Sequence, residues 1–173
     1  MKIAVLFAVG TEEIEALTPV DVLRRAGVEV DLVSVSGEFP KGSHDIIVKA
    51  DALSKDVDFS QYDGLVIPGG MPGATNIASD EKVMVAISKM LKDGKLVSAI
   101  CASPAVVLAN NGLITGKKIT CYPADVFVKM TNGCVFSGKN VEIDGNLITA
   151  NGPKSAMEFA IAICNYLGVA PKF

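Results

Sequence analysis

A cysteine between a buried strand and a helix is the most chemically suggestive feature of the sequence. Residues 96–100 (LVSAI) are mostly apolar, as expected of a strand buried on both faces. Cys101 follows directly, and Pro104 begins a helical stretch that ends at Gly112. The thiol therefore belongs to a sharp strand-to-helix turn, where free N–H groups and the helix dipole favour the thiolate. This is the topology of a nucleophile elbow, with Cys instead of Ser and without flanking glycines.

Packing is the alternative role for Cys101. Free cysteines are among the most buried residues and often only fill a core. This stretch alone supports a reactive thiol and a packing thiol about equally, so the remaining motifs must decide between them.

Three acids near the N-terminus compete for a role beside the thiol. Glu12 and Glu13 are predicted to be solvated and to stabilise the first turn of a helix. Glu15 differs because Ile14 and Ala16 flank it in a helix that must pack on the sheet. A carboxyl group buried near a thiolate has a raised pKa, so it can hold a proton and donate it to sulfur.

A glycine pair follows another apolar strand. Gly69 and Gly70 suit a tight turn, and the N–H of Gly70 together with that of Ala102 suits an oxyanion hole. The glycines are too few and wrongly spaced for a phosphate loop or a dinucleotide fingerprint.

The alternation of strands and helices predicts the fold class. Strands are predicted over residues 2–9, 28–36, 44–50, 64–68, 96–100, 117–121, 134–137, 140–143 and 147–150. Helices are predicted over residues 11–27 with a kink or restart at 19, over 74–92 with a restart at 79–81, after 104, and over 123–131 and 155–166. This order implies a mostly parallel sheet with helices on both faces, in one domain over 1–173. Because ligands bind at the carboxyl ends of such strands, the loops 10–15, 69–73 and Cys101 should form one crevice, which favours a reactive thiol.

Composition limits the classes of function. The net charge is −3 at neutral pH and no basic run occurs, so nothing indicates nucleic-acid binding. No segment approaches the ~20 apolar residues of a membrane span, and the apolar start suits a strand better than a signal peptide. The four cysteines lack metal-like spacing and suit reduced thiols in the cytoplasm. Cys121, Cys134 and Cys164 are predicted to be core or edge residues.

The only histidine restricts the chemistry further. His44 precedes Cys101 on a strand predicted to be peripheral, which suits a surface or subunit-contact residue. A zinc site of several histidines is excluded, as is any mechanism that needs a histidine after the nucleophile. We predict neither a metal nor an organic cofactor.

Four motifs in order resemble the ThiJ/PfpI superfamily, specifically its parkinsonism-associated protein deglycase branch: FAVGTEEIEALTPVDVLRRAG, GLVIPGGMPGA, SAICASPAVVLAN and NGPKSAMEFAIAI. The resemblance covers essentially the whole chain. It implies a flavodoxin-like three-layer sandwich, a homodimer, and a reactive cysteine on a strained elbow beside a protonated glutamate. By motif these residues are Cys101 and Glu15, with Gly70 and Ala102 as backbone donors and Gly69 and Tyr122 lining the site.

The resemblance also implies a set of activities, and the sequence departs from the family pattern at two positions. The family converts methylglyoxal to lactate without glutathione, acts on glycated adducts, senses oxidative stress through a cysteine sulfinate and acts as a chaperone. Peptidase relatives carry His after the nucleophile, where this chain has Ala102, so a peptidase is disfavoured. The deglycase branch has a His-Pro pair where this chain has Tyr122-Pro123, and a phenol is a poor base near neutral pH.

Two functional interpretations follow. The leading one is a Cys101–Glu15 enzyme acting on small 2-oxoaldehydes or glycated adducts. The alternative is a non-enzymatic oxidative-stress sensor or chaperone that oxidation of Cys101 switches. A scaffold without a current substrate is a third alternative.

Overall fold

Six of the seven strands in the central sheet run parallel, and the seventh is antiparallel at one edge. The computed structural model describes residues 1–173. The strands are β1 (Lys2–Phe7), β2 (Glu29–Ser34), β3 (Ala52–Leu53), β4 (Gly64–Ile67), β5 (Leu96–Ile100), β8 (Val141–Asp144) and β9 (Leu147–Ala150). They lie in the order β3-β2-β1-β4-β5-β9-β8, and β8 is the antiparallel strand. A separate parallel pair consists of β6 (Lys118–Ile119) and β7 (Val135–Phe136).

Helices cover both faces of this sheet. They are α1 (Glu13–Arg25), α2 (Gly73–Ala78), α3 (Glu81–Lys92), α4 (Asp125–Met130) and α5 (Ala156–Leu167). A π-helical segment, Pro104–Ala109, follows β5, and short 3₁₀ turns occupy Phe59–Gln61 and Pro153–Ser155. The result is a three-layer, flavodoxin-like α/β sandwich, as predicted.

The alternation of side chains along β1 explains the two cores. Ile3, Val5 and Phe7 pack with α1 and α5 on one face, whereas Ala4 and Leu6 pack with α2 and α3 on the other. All five side chains are fully buried, as expected of a central parallel strand covered on both sides.

Local signals set most of the boundaries. Strand β5 has the predicted limits, and the Asp80 carboxylate caps α3 by accepting from the Val83 N–H at 3.0 Å. Gly168 ends α5 in the left-handed conformation, with φ of 71°. Helix α1 continues through Pro19, where a kink or a restart was predicted, so the helix does not restart there.

The strand predicted over 44–50 is wrong. That stretch has a single bridge, between Lys41 and Ile47, and Asp45 turns the chain with φ of 64°. The third strand beside β2 is instead formed by Ala52–Leu53, in a segment where no strand was predicted. The 41–47 loop takes its shape from contacts with α1, described below.

Candidate active site

Cys101 lies on a strained turn at the carboxyl end of β5. Its φ of 66° is unusual for a residue with a side chain and costs about 1–3 kcal/mol. Two backbone hydrogen bonds stabilise the turn: the Cys101 N–H donates to the Ala150 carbonyl at 2.9 Å, and the Tyr122 N–H donates to the Cys101 carbonyl at 2.7 Å. The side chain is half-buried, and the predicted elbow is present.

Glu15 is the buried acid of the crevice. It is fully inaccessible to solvent, and its Oε2 accepts a hydrogen bond from the Gly69 N–H at 2.9 Å. Its Oε1 is buried without a hydrogen-bond partner. Burial raises the pKa of Glu15 to about 7, against the opposing effects of the Cys101 thiol and the Gly69 N–H. A pKa near neutrality would let Glu15 hold or release a proton, which is the property that the proton-holding role requires.

The groups around the sulfur shift the pKa of the Cys101 thiol in opposite directions. Burial and the negative charge of Glu15 raise the pKa of Cys101, whereas hydrogen bonds from the N–H groups of Gly70 and Ala102 lower it. The N–H groups thus favour the thiolate as expected, but burial and the acid outweigh them, so the net pKa of Cys101 is raised. Because two negative charges repel in a buried site, Cys101 and Glu15 share one proton over a wide pH range. The nucleophilic form has the charge on sulfur and the proton on Glu15.

Gly69 and Gly70 allow these groups to approach one another. A Cβ atom on Gly69 would lie 2.6 Å from the Cys101 Cβ and 2.8 Å from the Glu15 Oε2. Gly70 has φ of 84°, and a Cβ there would lie 2.4 Å from the Glu12 backbone nitrogen. Neither position can carry a side chain without moving the thiol, the acid or the start of α1.

Glu12 and Glu13 are buried, so their predicted solvated role is wrong. Glu12 caps α1 by accepting from the Glu15 N–H at 2.9 Å. Glu13 is 3% exposed and binds the 41–47 loop, accepting from the His44 backbone N–H at 2.8 Å and pairing with the His44 ring at 3.0 Å. Sequence reasoning missed this contact because the two residues are 31 positions apart.

His44 is exposed, as predicted, and its ring lies beside two carboxylates. One ligand atom from each of Glu12, Glu13 and His44 lies within 4.8 Å of the others, a spacing that could hold a metal ion. Hydrogen bonds already engage the ring and both Glu13 oxygens, so we interpret this cluster as a link between α1 and the loop.

Tyr122 lies beside the elbow and is 43% exposed. Its ring is edge-on to that of Phe127, with 6.3 Å between the ring centroids. It lines a cleft of about 690 Å³ together with residues that were not predicted site residues, chiefly Asn140 at the start of a predicted strand, and Asn151, Gly152 and Lys154 between predicted elements. Cys121 and Cys164 are buried and Cys134 is partly buried, as predicted for core or edge residues. None of the helices combines the length and apolar character needed to cross a bilayer.

A parallel α/β sandwich with a cysteine elbow beside a buried glutamate defines a class of thiol-bearing flavodoxin-like proteins. Within that class, the profile of the DJ-1/PfpI family matches residues 1–166, and the chain belongs to this family.

Individual relatives agree with this assignment. Protein DJ-1 homolog B of Arabidopsis thaliana is 37% identical over 168 residues, which are 96% of this chain but 38% of that protein. The Glutathione-independent glyoxalase DJR-1.2 of Caenorhabditis elegans is 36% identical, over 90% of this chain and 82% of that protein. The structure of oxidized Toxoplasma gondii DJ-1 superposes with a TM-score of 0.91 at 40% identity, covering 96% of this chain and 90% of that one.

Proposed function

We propose that this protein is a cysteine-dependent enzyme that acts on reactive carbonyls, converting small 2-oxoaldehydes to 2-hydroxy acids without glutathione. The observation that carries the proposal is the juxtaposition of Cys101, the fully buried Glu15 and the N–H groups of Gly70 and Ala102. The name of the Caenorhabditis elegans relative, a glutathione-independent glyoxalase, supports the same chemistry.

The first step is addition of the Cys101 thiolate to the aldehyde carbon. A carbon–sulfur bond forms, and the aldehyde oxygen takes the proton of Glu15 to give a neutral hemithioacetal. While the charge is on that oxygen, the N–H groups of Gly70 and Ala102 are the nearby donors that can stabilise it.

The next steps move hydrogen between neighbouring carbons. The Glu15 carboxylate removes the proton from the former aldehyde carbon and gives it to the ketone oxygen, which forms an enediol. Glu15 then transfers a proton from the other hydroxyl to the second carbon. The first carbon is thereby oxidised to a thioester and the second is reduced to an alcohol, so no external oxidant is needed.

Water completes the reaction. It adds to the thioester carbonyl, the carbon–sulfur bond breaks, and the products are the 2-hydroxy acid and the Cys101–Glu15 pair with its single proton. Adducts of 2-oxoaldehydes on protein amines or thiols would be released by the same route, which is the deglycase form of the activity.

The experiment is lactate formation from methylglyoxal without glutathione, for wild type, Cys101→Ser and Glu15→Gln. We expect turnover in wild type and a loss of at least about 100-fold in either variant, because nucleophile and proton carrier act as a unit. Cys164→Ser is the matched control, since it changes a buried thiol outside the crevice. Equal turnover in wild type and Cys101→Ser would contradict the proposal.

A redox sensor is the second candidate, and the partly buried thiol beside the Gly70 and Ala102 donors favours it. The structural relative from Toxoplasma gondii is described as oxidized. Mass spectrometry after mild peroxide separates the candidates: selective gain of two oxygens at Cys101, without any carbonyl turnover, would support the sensor.

The setting we propose is a cytoplasmic homodimer. Four free cysteines suit a reducing compartment. Exposed isoleucines on and beside α1, namely Ile14, Ile46 and Ile47, provide an apolar surface for a second copy.

A further inference from the structure

A cleft of about 690 Å³ adjoins the elbow, and no step of the proposed chemistry uses it. Its residues include Tyr122, Asn140, Asn151, Gly152, Lys154 and Ser155. The cleft is linked to the nucleophile through the backbone, because Cys101 bonds to Tyr122 on one side and to Ala150 at the end of β9 on the other. The cleft therefore lies beside the turn that carries Cys101.

The cleft is much larger than a three-carbon aldehyde requires. Pockets of about 300–1,000 Å³ accommodate ligands of drug size, and methylglyoxal would fill only a small part of this one. The space therefore suits a substrate with a substantial group beyond the reacting carbons.

Polar groups in the cleft favour an anion. Lys154 is the only charged residue among those that line it, and its ammonium group has no carboxylate within 4.0 Å. The positive charge is thus available to a ligand rather than neutralised within the protein.

A chain of hydrogen bonds holds the neighbouring amides. The hydroxyl of Ser155 donates to the Asn151 side-chain oxygen at 2.6 Å, and the Asn151 amide donates to the Asn140 side-chain oxygen at 3.2 Å. The Asn140 amide donates to Glu158 at 3.2 Å, which engages the nearby acid. Each amide nitrogen has two hydrogens and uses one in this chain, so one N–H on each asparagine remains for a ligand.

We infer that this cleft binds a carboxylate on the remote end of the substrate, with Lys154 as the main specificity determinant and Asn140 and Asn151 as supporting donors. The inference rests on the proposed function, and it identifies the preferred substrates as 2-oxoaldehydes, or their adducts, that carry a carboxylate several bonds from the aldehyde. Tyr122 is then a wall against which the connecting part of the substrate packs.

The experiment compares methylglyoxal, phenylglyoxal and 4-carboxyphenylglyoxal as substrates for wild type, Lys154→Met, Lys154→Arg and Lys92→Met. We expect Lys154→Met to lower kcat/KM for the carboxylated compound about 5- to 10-fold, mainly through KM, because a charge-assisted contact is lost. Values for the two neutral compounds should change less than about twofold. Lys154→Arg should retain the preference, and Lys92→Met, which alters an exposed lysine on α3, should not affect it.

An equal response of the neutral and carboxylated compounds, or no charge preference in wild type, would overturn the inference and leave the proposed function intact. If no compound is turned over, the proposed function fails and a binding measurement decides the inference. Protection of Cys101 from iodoacetamide by each aldehyde reports adduct formation without turnover. Stronger protection by the carboxylated compound, lost in Lys154→Met, supports the cleft assignment, and equal protection by both aromatic compounds contradicts it.

Discussion

The Cys101–Glu15 pair shows how burial controls proton sharing between two side chains. Both groups are removed from water, so each charged form is penalised, and the charge of one disfavours the charge of the other. The N–H groups of Gly70 and Ala102 are directed at the sulfur and that of Gly69 at the carboxyl. These donors stabilise a single negative charge shared by the pair, which suits a nucleophile that must also keep a proton nearby.

Replacing Glu15 by Gln should change how stability depends on pH. Burial raises the pKa of Glu15 from 4.5 to about 7, so the folded state binds this proton more tightly than the unfolded chain. Wild type therefore loses stability as pH rises from about 4.5 through about 7, and the variant avoids this loss. Relative to wild type, we expect the unfolding free energy of Glu15→Gln to increase by up to about 3 kcal/mol between pH 4.5 and pH 8.

Urea unfolding at the two pH values measures this change, with Glu81→Gln at an exposed position as the control. The same stability difference between Glu15→Gln and wild type at both pH values would contradict the interpretation.

At the scale of elements, the loop 41–47 depends on helix α1 for its shape. The Gly10 N–H donates to the Lys41 carbonyl at 2.9 Å, and the Ser43 N–H donates to the Thr11 carbonyl at 2.8 Å. Glu13 adds bonds to the backbone and ring of His44. Since Glu12 and Glu15 belong to the same turn of chain, this loop supports the segment that carries the buried acid of the site.

Replacing His44 by Gln should weaken this loop mainly at mildly acidic pH. The Glu13 carboxylate raises the pKa of His44. For Glu13, burial raises the pKa, but hydrogen bonds that include those from His44 outweigh burial and lower it. The stabilisation of the folded state by charged His44 is fully present below the pKa of about 6.5 in the unfolded chain. It is lost as pH rises through the raised pKa in the folded state. We therefore expect His44→Gln to be less stable than wild type at pH 6, with a smaller difference at pH 8.5.

Hydrogen exchange of residues 41–47, measured at pH 6, should be faster in His44→Gln than in wild type. Lys49→Gln, which alters an exposed side chain without contact to Glu13, is the control. Unchanged exchange in His44→Gln would show that the ring does not hold the loop.

At the scale of the whole molecule, exposed apolar side chains meet where α1 and the 41–47 loop join. Ile14, Ile46 and Ile47 are 55%, 50% and 63% exposed, and the Ile46 N–H bonds to Glu13, which precedes Ile14. A surface of this kind beside a candidate active site suits contact with a second copy of the chain.

Replacing Ile47 by Glu should separate the proposed homodimer into monomers, because a carboxylate is costly to bury in an apolar interface. Analytical ultracentrifugation at micromolar concentration would detect the change in mass. Val85→Glu is the matched control, since Val85 is 68% exposed on α3, on the opposite face of the sheet. A wild-type monomer, or an Ile47→Glu protein that remains dimeric, would contradict the proposed interface.

Much of the fold could be predicted from sequence because its signals are local. Continuous apolar runs specify β1, β4 and β5, capping residues specify the ends of α3 and α5, and Pro104 after Cys101 specifies the elbow. Glu15 was singled out on the packing of its two neighbours, of which Ala16 is buried whereas Ile14 is 55% exposed. These features depend on residues a few positions apart, where periodicity and capping act.

The tertiary structure decided whatever depends on residues distant in sequence. The 41–47 loop is not a strand because Glu13 and Thr11 take its hydrogen bonds, and the pKa of Cys101 is raised because burial and Glu15 outweigh the local N–H groups. The cleft around Lys154 joins segments separated by about 30 positions. Desolvation and long-range contacts determine these properties, and neither is visible in a local pattern of residues.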